Sequence, residues 1–219
     1  MLARGVLIDN TSAKYVFFAM IPLYMTRTVG IDEVGRGPIA GPVAVASFCM
    51  LRPSVLQKYI TEGARLRDSK KLSKKAREEW YTQIREWQMA GACDFSVAMI
   101  AAKEIDKVGI APAIRSALRR SLQKVAPDTR TQVLLDGGLR APEEYKKQKT
   151  IIKGDEKEWA IALASIVAKV TRDRYMYRMA KKYPQYGFES HVGYGTKQHY
   201  KAITEHGMCD LHRRSFLRG

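Results

Sequence analysis

The sequence predicts an α/β fold: a mixed five-stranded sheet flanked by helices, with a short helical segment at the C-terminal end. Three observations predict it. Five short β-type runs fall along the chain, early ones close together and later ones alternating with helical patterns. Hydrophobic residues make up 46% of the 219, enough to fill the core of one domain. No internal repeat or low-complexity linker interrupts the pattern. The expected organisation is an N-terminal extension over residues 1–28 and a single main domain over 29–219.

The elements follow in order. Residues 28–32 (Thr-Val-Gly-Ile-Asp) read as a strand that runs into a turn punctuated by Gly35, Gly37, Pro38 and Gly41. Residues 42–51 are apolar, rich in Val and Ala, and read as a buried second strand, so the pair makes a hairpin with a glycine-rich connection. Ser73 is an N-cap for a helix over 74–89, where Trp80, Ile84 and Trp87 recur at helical spacing. A third strand spans 91–100. Helices over 101–108 and 111–125 are divided by Gly109 and Pro112. The apolar run 131–136 ends in a carboxylate and Gly137-Gly138, and a fifth strand covers 149–153. One long helix is expected from Glu156 to about Lys182. Its uncharged stretch 159–168 should be deeply buried. Arg174, Arg178, Lys181 and Lys182 share one side, either as a solvated face or as a non-specific grip on phosphates. A last short helix covers 197–206.

The formal net charge is +16. A surplus of that size favours a polyanionic partner, nucleic acid first and an acidic membrane surface second. No stretch reaches the ~18–20 apolar residues of a membrane span. Residues 15–25 come nearest and resemble a signal-peptide core, but Met25-Thr26-Arg27-Thr28 follows without a small-x-small cleavage site. Cys49, Cys93 and Cys209 show no metal-binding spacing. They read as small buried hydrophobes in a reducing compartment, the cytoplasm.

Four acids stand at the ends of elements. Asp32 closes the first strand, Glu33 is its neighbour, Asp136 closes the fourth strand, and Asp155 precedes the long helix. Ligands of α/β sheets gather beyond strand ends, and if the first and fourth strands are neighbours, Asp32 faces Asp136. Carboxylates packed together repel unless one takes a proton or they share a cation. Oxygen-only ligation suits Mg²⁺ or Mn²⁺, and a pair of such ions activates water against a phosphodiester. Each acid also has a plainer role: Asp155 as a helix cap, Asp136 as a turn residue, Asp32-Glu33 as a solvated loop start.

The surrounding motifs favour the chemical reading. Gly30-Ile31-Asp32-Glu33-Val34-Gly35-Arg36-Gly37-Pro38, followed by Ala40-Gly41-Pro42-Val43, resembles the signature of the ribonuclease HII family. In order along the chain come Asp68-Ser69-Lys70-Lys71-Leu72-Ser73, Asp136-Gly137, Lys153-Gly154-Asp155 and Ala164-Ser165-Ile166-Val167-Ala168-Lys169-Val170 with Arg172-Asp173. Tyr183-Pro184, His191, Gly193-Tyr194-Gly195-Thr196, His199 and His212-Arg213 with Ser215-Phe216 complete the match, which runs from about 29 to 217. Seven weak pieces in the right order make a strong signal.

The resemblance implies a ribonuclease H-like fold, with residues 29–219 as the catalytic domain. It implies that Asp32, Glu33, Asp136 and Asp155 bind two Mg²⁺ or Mn²⁺ ions and carry catalysis. It implies that Gly35, Arg36 and Gly37 clasp a ribonucleotide through backbone groups, which suits glycine's close approach and the donor–acceptor 2′-OH. Tyr194 would pack on the sugar 3′ of the ribonucleotide, and Ser69 and Lys70 would contact backbone phosphates. His191, His199 and His212 are expected to be structural hydrogen-bonders. The implied substrates are RNA–DNA hybrids and DNA duplexes with embedded ribonucleotides, cut 5′ to the ribonucleotide by a monomer that has no membrane partner. Two rivals are a ribonuclease HIII-like hybrid nuclease and a nucleic-acid binder without catalysis. The Gly-Arg-Gly element disfavours the first. The four acids disfavour the second, since a pure binder gains nothing from carboxylates facing phosphates.

Overall fold

A computed structural model describes residues 27–56 and 72–217. Ser69, Lys70 and residues 1–26 lie outside the described residues.

The sheet has five strands in the order β3-β2-β1-β4-β5. These are β1 (Thr28–Val34), β2 (Val43–Met50), β3 (Cys93–Ile100), β4 (Gln132–Asp136) and β5 (Gln148–Ile151). β1, β2 and β3 form an antiparallel meander, while β4 joins β1 in parallel and β5 joins β4 in parallel. The sheet is therefore mixed, as expected.

The two-residue period of a strand divides the core. On one face, Val29 and Ile31 of β1 and Val133 and Leu135 of β4 pack with Ile114, Leu118 and Leu122 of α3 (Ile110–Val125). On the other face, Ala46 and Phe48 of β2 pack with Ile84 and Trp87 of α1 (Lys74–Met89) and with the uncharged half of α5 (Trp159–Lys182). Gly30 belongs to that second face, directly against the α5 backbone at Ala160 and Ile161. Asp32 lies two residues on, so it shares the α5 face.

Several boundaries agree with the pattern reading. α1 begins after Ser73, whose hydroxyl accepts from the Ala76 amide. α7 (Lys197–His206) matches its expected span, capped by Thr196. Between α2 (Ala102–Val108) and α3, Gly109 alone makes the break, with φ 85°. Pro112 does not divide them. It lies in the first turn of α3, where the missing N–H is not needed.

The expected single helix from Glu156 to Lys182 needs correction. The structure has a one-turn helix α4 (Gly154–Lys157), a break at Glu158 (φ −123°, ψ 119°), and then α5 from Trp159. The Glu158 carbonyl accepts from Ile161 and Ala162 and so caps α5. Gly154 is fixed by the hydrogen bond its amide donates to Asp136 Oδ1, which holds α4 to the end of β4 rather than in line with α5. Asp155 is thus inside α4 and buried, not the cap of the long helix.

Beyond α5 the chain folds back over the β1–β2 connection. α6 (Phe188–His191), α7 and the last turn pack Tyr186, Phe188, Val192, Ala202 and Leu211 around Met176 of α5 and Ala40 of the connection. Ile39 and Ala40 donate to the Gly193 carbonyl, Gly41 donates to Leu211, and Arg213 donates to Ile39. The C-terminal segment is thereby clamped to the glycine-rich loop. No helix among the described residues is long and apolar enough to cross a membrane.

Candidate functional site

Asp32 and Asp136 come together through strand register. Gly30 is paired with Leu134 and Ile31 with Leu135, so the next residues, Asp32 and Asp136, stand at adjacent strand ends on the α5 face. Both are buried, as is Asp155 one residue after the Gly154 amide that Asp136 accepts at 2.6 Å. Glu33 is more open, and its own amide donates to Asp32 Oδ1 at 2.8 Å. Its carboxylate is 3.8 Å from the exposed guanidinium of Arg36. Among the described residues, no three Asp, Glu, His or Cys side chains stand within reach of one ion as placed.

A cleft of about 310 Å³ opens beside this end of β1. It is lined by Asp32 and Glu33, by the Gly35–Arg36–Gly37 segment, by Ser165, Ile166 and Lys169 of α5, by Arg77 of α1 and by Tyr194. Lys169 is held by an ion pair to Asp173 at 2.9 Å. Tyr194 is 44% exposed. That exposure removes the plain role of a core anchor.

A chain of neutral imidazoles holds the Tyr194 backbone. His199 Nδ1 donates to the Tyr194 carbonyl at 2.8 Å, and its Nε2 lies 3.1 Å from Nε2 of His212. His212 Nδ1 in turn accepts from the Cys209 amide. One proton per ring satisfies this chain. Burial lowers the pKa of His199 to about 4 and also lowers that of His212, so both are neutral at pH 7. His191 bridges the Tyr186 carbonyl and the Gly193 amide. All three histidines are structural hydrogen-bonders, as expected.

The cysteines are free. Cys49 and Cys93 are buried, and burial raises their thiols to about 11 and about 12, which leaves them inert. Cys209 is only half-buried, so the expectation of three buried cysteines holds for two. On the basic face of α5, Arg174 pairs with Glu78 and lies 4.4 Å over the Tyr81 ring. It ties α5 to α1.

Two residues escaped the sequence reading although both fall inside its motifs. Arg172 and Arg213 have no solvent exposure. Arg172 donates to the carbonyls of Pro42, Ala40 and Val192. Arg213 donates to those of Gly35, Arg36 and Gly41. Burial lowers the pKa of both, and for Arg213 the nearby Arg172 charge adds to the effect, bringing it to about 9. Both arginines stand beside other charged or polar residues, and nothing local told where their donors go.

A mixed five-stranded sheet with acids at the adjacent ends of its parallel strands, beside a basic-rimmed cleft, belongs to the ribonuclease H-like class of α/β nucleases. The family follows from comparison: the family model described as Ribonuclease HII matches residues 29–218. The chain belongs to that family and is a ribonuclease H, acting on nucleic acid at ribonucleotides. It is 44% identical over 191 residues to the ribonuclease HII of Caldicellulosiruptor bescii, covering 86% of this chain and 85% of the relative. Identity to that of Fusobacterium nucleatum subsp. nucleatum is 42% over 206 residues, covering 90% and 91%. The solved structure of a PCNA:RNase HII complex from Archaeoglobus fulgidus matches with a TM-score of 0.66 at 26% identity, over 85% of this chain and 93% of that one.

Proposed function

We propose that the enzyme hydrolyses the phosphodiester 5′ to a ribonucleotide, in RNA–DNA hybrids and at single ribonucleotides embedded in duplex DNA, leaving a 3′-hydroxyl and a 5′-phosphate. One observation carries the reading: the acids Asp32 and Glu33, the Gly35–Arg36–Gly37 backbone and Tyr194 line one cleft. The reacting phosphate and the sugar that identifies it can therefore be held at once.

Asp32, Glu33, Asp136 and Asp155 are the proposed ligands of two Mg²⁺ or Mn²⁺ ions. Their all-oxygen donor set fits a hard cation. The Gly154 amide occupies one lone pair of Asp136, and a carboxylate has about four. Carboxylates without a bridging charge repel one another, and bound cations would offset that repulsion. Bound divalent ions supply an activated water and neutralise the leaving oxygen.

The chain's own groups do the rest. Amides of the Gly35–Gly37 segment meet the 2′-OH, the only group that separates RNA from DNA here. Tyr194 offers a flat face to the sugar on the 3′ side, where RNA gives way to DNA. Lys169 and Arg77 border the cleft as phosphate partners; Ser69 and Lys70, outside the described residues, are proposed as further backbone-phosphate contacts. Residues 29–219 form the catalytic domain, with 1–28 an extension. The enzyme acts as a monomer in the cytoplasm, a setting its free cysteines suit.

The test is a DNA duplex with one embedded ribonucleotide, incubated with Mg²⁺, with Mn²⁺ or with EDTA, and with Asp32→Asn beside the wild type. Cleavage is expected with either ion, none with EDTA, and none for Asp32→Asn, which should still bind the duplex. Binding without cleavage by the wild type, or a cut 3′ to the ribonucleotide, would overturn the reading.

A further inference from the structure

The glycine-rich loop is not held by its own turn geometry alone. Arg213 lies on the C-terminal segment, more than 170 residues away in sequence. It places one guanidinium against three loop carbonyls: Gly35 at 2.6 Å, Arg36 at 3.0 Å and Gly41 at 2.9 Å. In a trans peptide the carbonyl and the following N–H point in opposite directions. Holding the Gly35 carbonyl inward turns the Arg36 N–H outward. Holding the Arg36 carbonyl inward does the same for the Gly37 N–H. Neither amide donates a backbone hydrogen bond among the described residues, and both residues line the cleft. A Cβ on Gly37 would meet nothing within 4 Å, so no packing demand of the protein explains that glycine.

We propose that Arg213 is a positioning residue for substrate discrimination. It fixes the two peptide planes of the Gly35–Gly37 segment so that the Arg36 and Gly37 amides stand ready as donors to the ribonucleotide sugar. This rests on the proposed role of that segment in ribonucleotide recognition. The planar fork is what the task needs, because one ammonium cannot hold two successive carbonyls in fixed orientation. Arg172 donates to the Ala40 and Pro42 carbonyls of the same loop, while among the described residues Arg213 is the side chain that donates to the Gly35 and Arg36 carbonyls.

The experiment measures the ratio of affinities for a duplex with one ribonucleotide and the same duplex in all-DNA form, without divalent metal. An unfolded fraction lowers both affinities alike and cancels in the ratio. Arg213→Lys and Arg213→Gln should each reduce the ribonucleotide preference about tenfold, and Gly37→Ala should reduce it as well. In the wild type, the amide NMR signals of Arg36 and Gly37 should shift with the ribonucleotide duplex and not with the all-DNA one. If Gly37→Ala lowers the ratio while both Arg213 variants keep it, the loop reads the sugar but Arg213 does not set it, and the inference fails. If Gly37→Ala keeps the ratio and the amides do not shift, the recognition role of the loop fails, and the inference fails with it. Should the Arg213 variants not fold, the wild-type amide shifts decide: equal shifts with both duplexes overturn the proposal.

Discussion

Gly30→Ala should damage both fold and site, through one contact. A Cβ at Gly30 would lie within 3.0 Å of three backbone atoms of α5, the carbonyl carbon and oxygen of Ala160 and the amide nitrogen of Ile161. Backbone atoms of a helix cannot rotate aside as a side chain can. The helix must retreat as a body by ~1.4 Å to bring its nearest atom from 2.0 Å to the 3.4 Å of ordinary contact. That opens the tight seam between α5 and β1, where Ile161, Ala162 and Ala164 are fully or nearly fully buried. Overpacking of this kind costs about 3 kcal/mol. For a chain of this size that lowers Tm by about 6–12 °C. Activity should also fall well below the melting temperature, because the retreat carries Ser165 and Lys169 away from Asp32 and Glu33 across the cleft. Urea titration and duplex cleavage at 25 °C measure the two effects. For the urea titration alone, Gly37→Ala is the control, expected within about 0.5 kcal/mol of wild type because that position is open. A Gly30→Ala protein as stable and active as wild type would refute the close approach of β1 and α5, and with it the cleft built between them.

Two further outcomes are expected. Tyr194→Ala should slow cleavage of single embedded ribonucleotides more than cleavage of long hybrids, since only the former always place a deoxynucleotide 3′ of the ribonucleotide; equal losses on both would remove the ring from junction sensing. Folding should weaken in acid through His199. Its folded pKa of about 4 lies below the unfolded 6.5, so the unfolded chain binds the extra proton, and the stabilisation is complete above pH 6.5 and lost as pH falls toward 4. The loss amounts to as much as ~3 kcal/mol at pH 4. NMR titration of the His199 ring checks it directly; a midpoint near 6.5 would contradict a neutral, buried imidazole.

Local pattern made much of this legible. The strands of the sheet, the Ser73 cap and the Lys197–His206 helix are written in adjacent residues, where periodicity and capping act. Pairing of Asp32 with Asp136 was legible only as a condition on strand order, because register between β1 and β4 is set by the whole sheet. The break at Glu158 was not legible. It arises from the anchoring of Gly154 on Asp136, a contact across 18 residues, and no helix-breaking residue marks it. The roles of Arg172 and Arg213 were hidden for the same reason. All but one of their partners, the Val192 carbonyl, are backbone carbonyls more than a hundred residues away, and a carbonyl has no letter in the sequence.

The choice of carbonyls as partners has an electrostatic consequence. A buried charge costs several kcal/mol unless it is compensated, and a carboxylate would be the ordinary counterion. Neither Arg172 nor Arg213 forms an ion pair among the described residues; each guanidinium is satisfied by three main-chain oxygens. Dipoles stabilise the charge without cancelling it. Arg213, with a pKa of about 9, therefore remains a cation at neutral pH directly behind the loop that faces the substrate. That cleft also contains Asp32 and Glu33, which repel a phosphate backbone. An uncancelled positive charge beneath the loop offsets the repulsion where a carboxylate-paired arginine would not. Geometry and charge can be separated. Arg213→Lys keeps the cation and loses the fork, so it should lose ribonucleotide preference while binding all-DNA duplex nearly as wild type does. Arg213→Gln loses both, so its affinity for either duplex should fall as well. If the two variants bound all-DNA duplex equally, the charge of Arg213 would have no part in holding nucleic acid, and its role would be geometric alone.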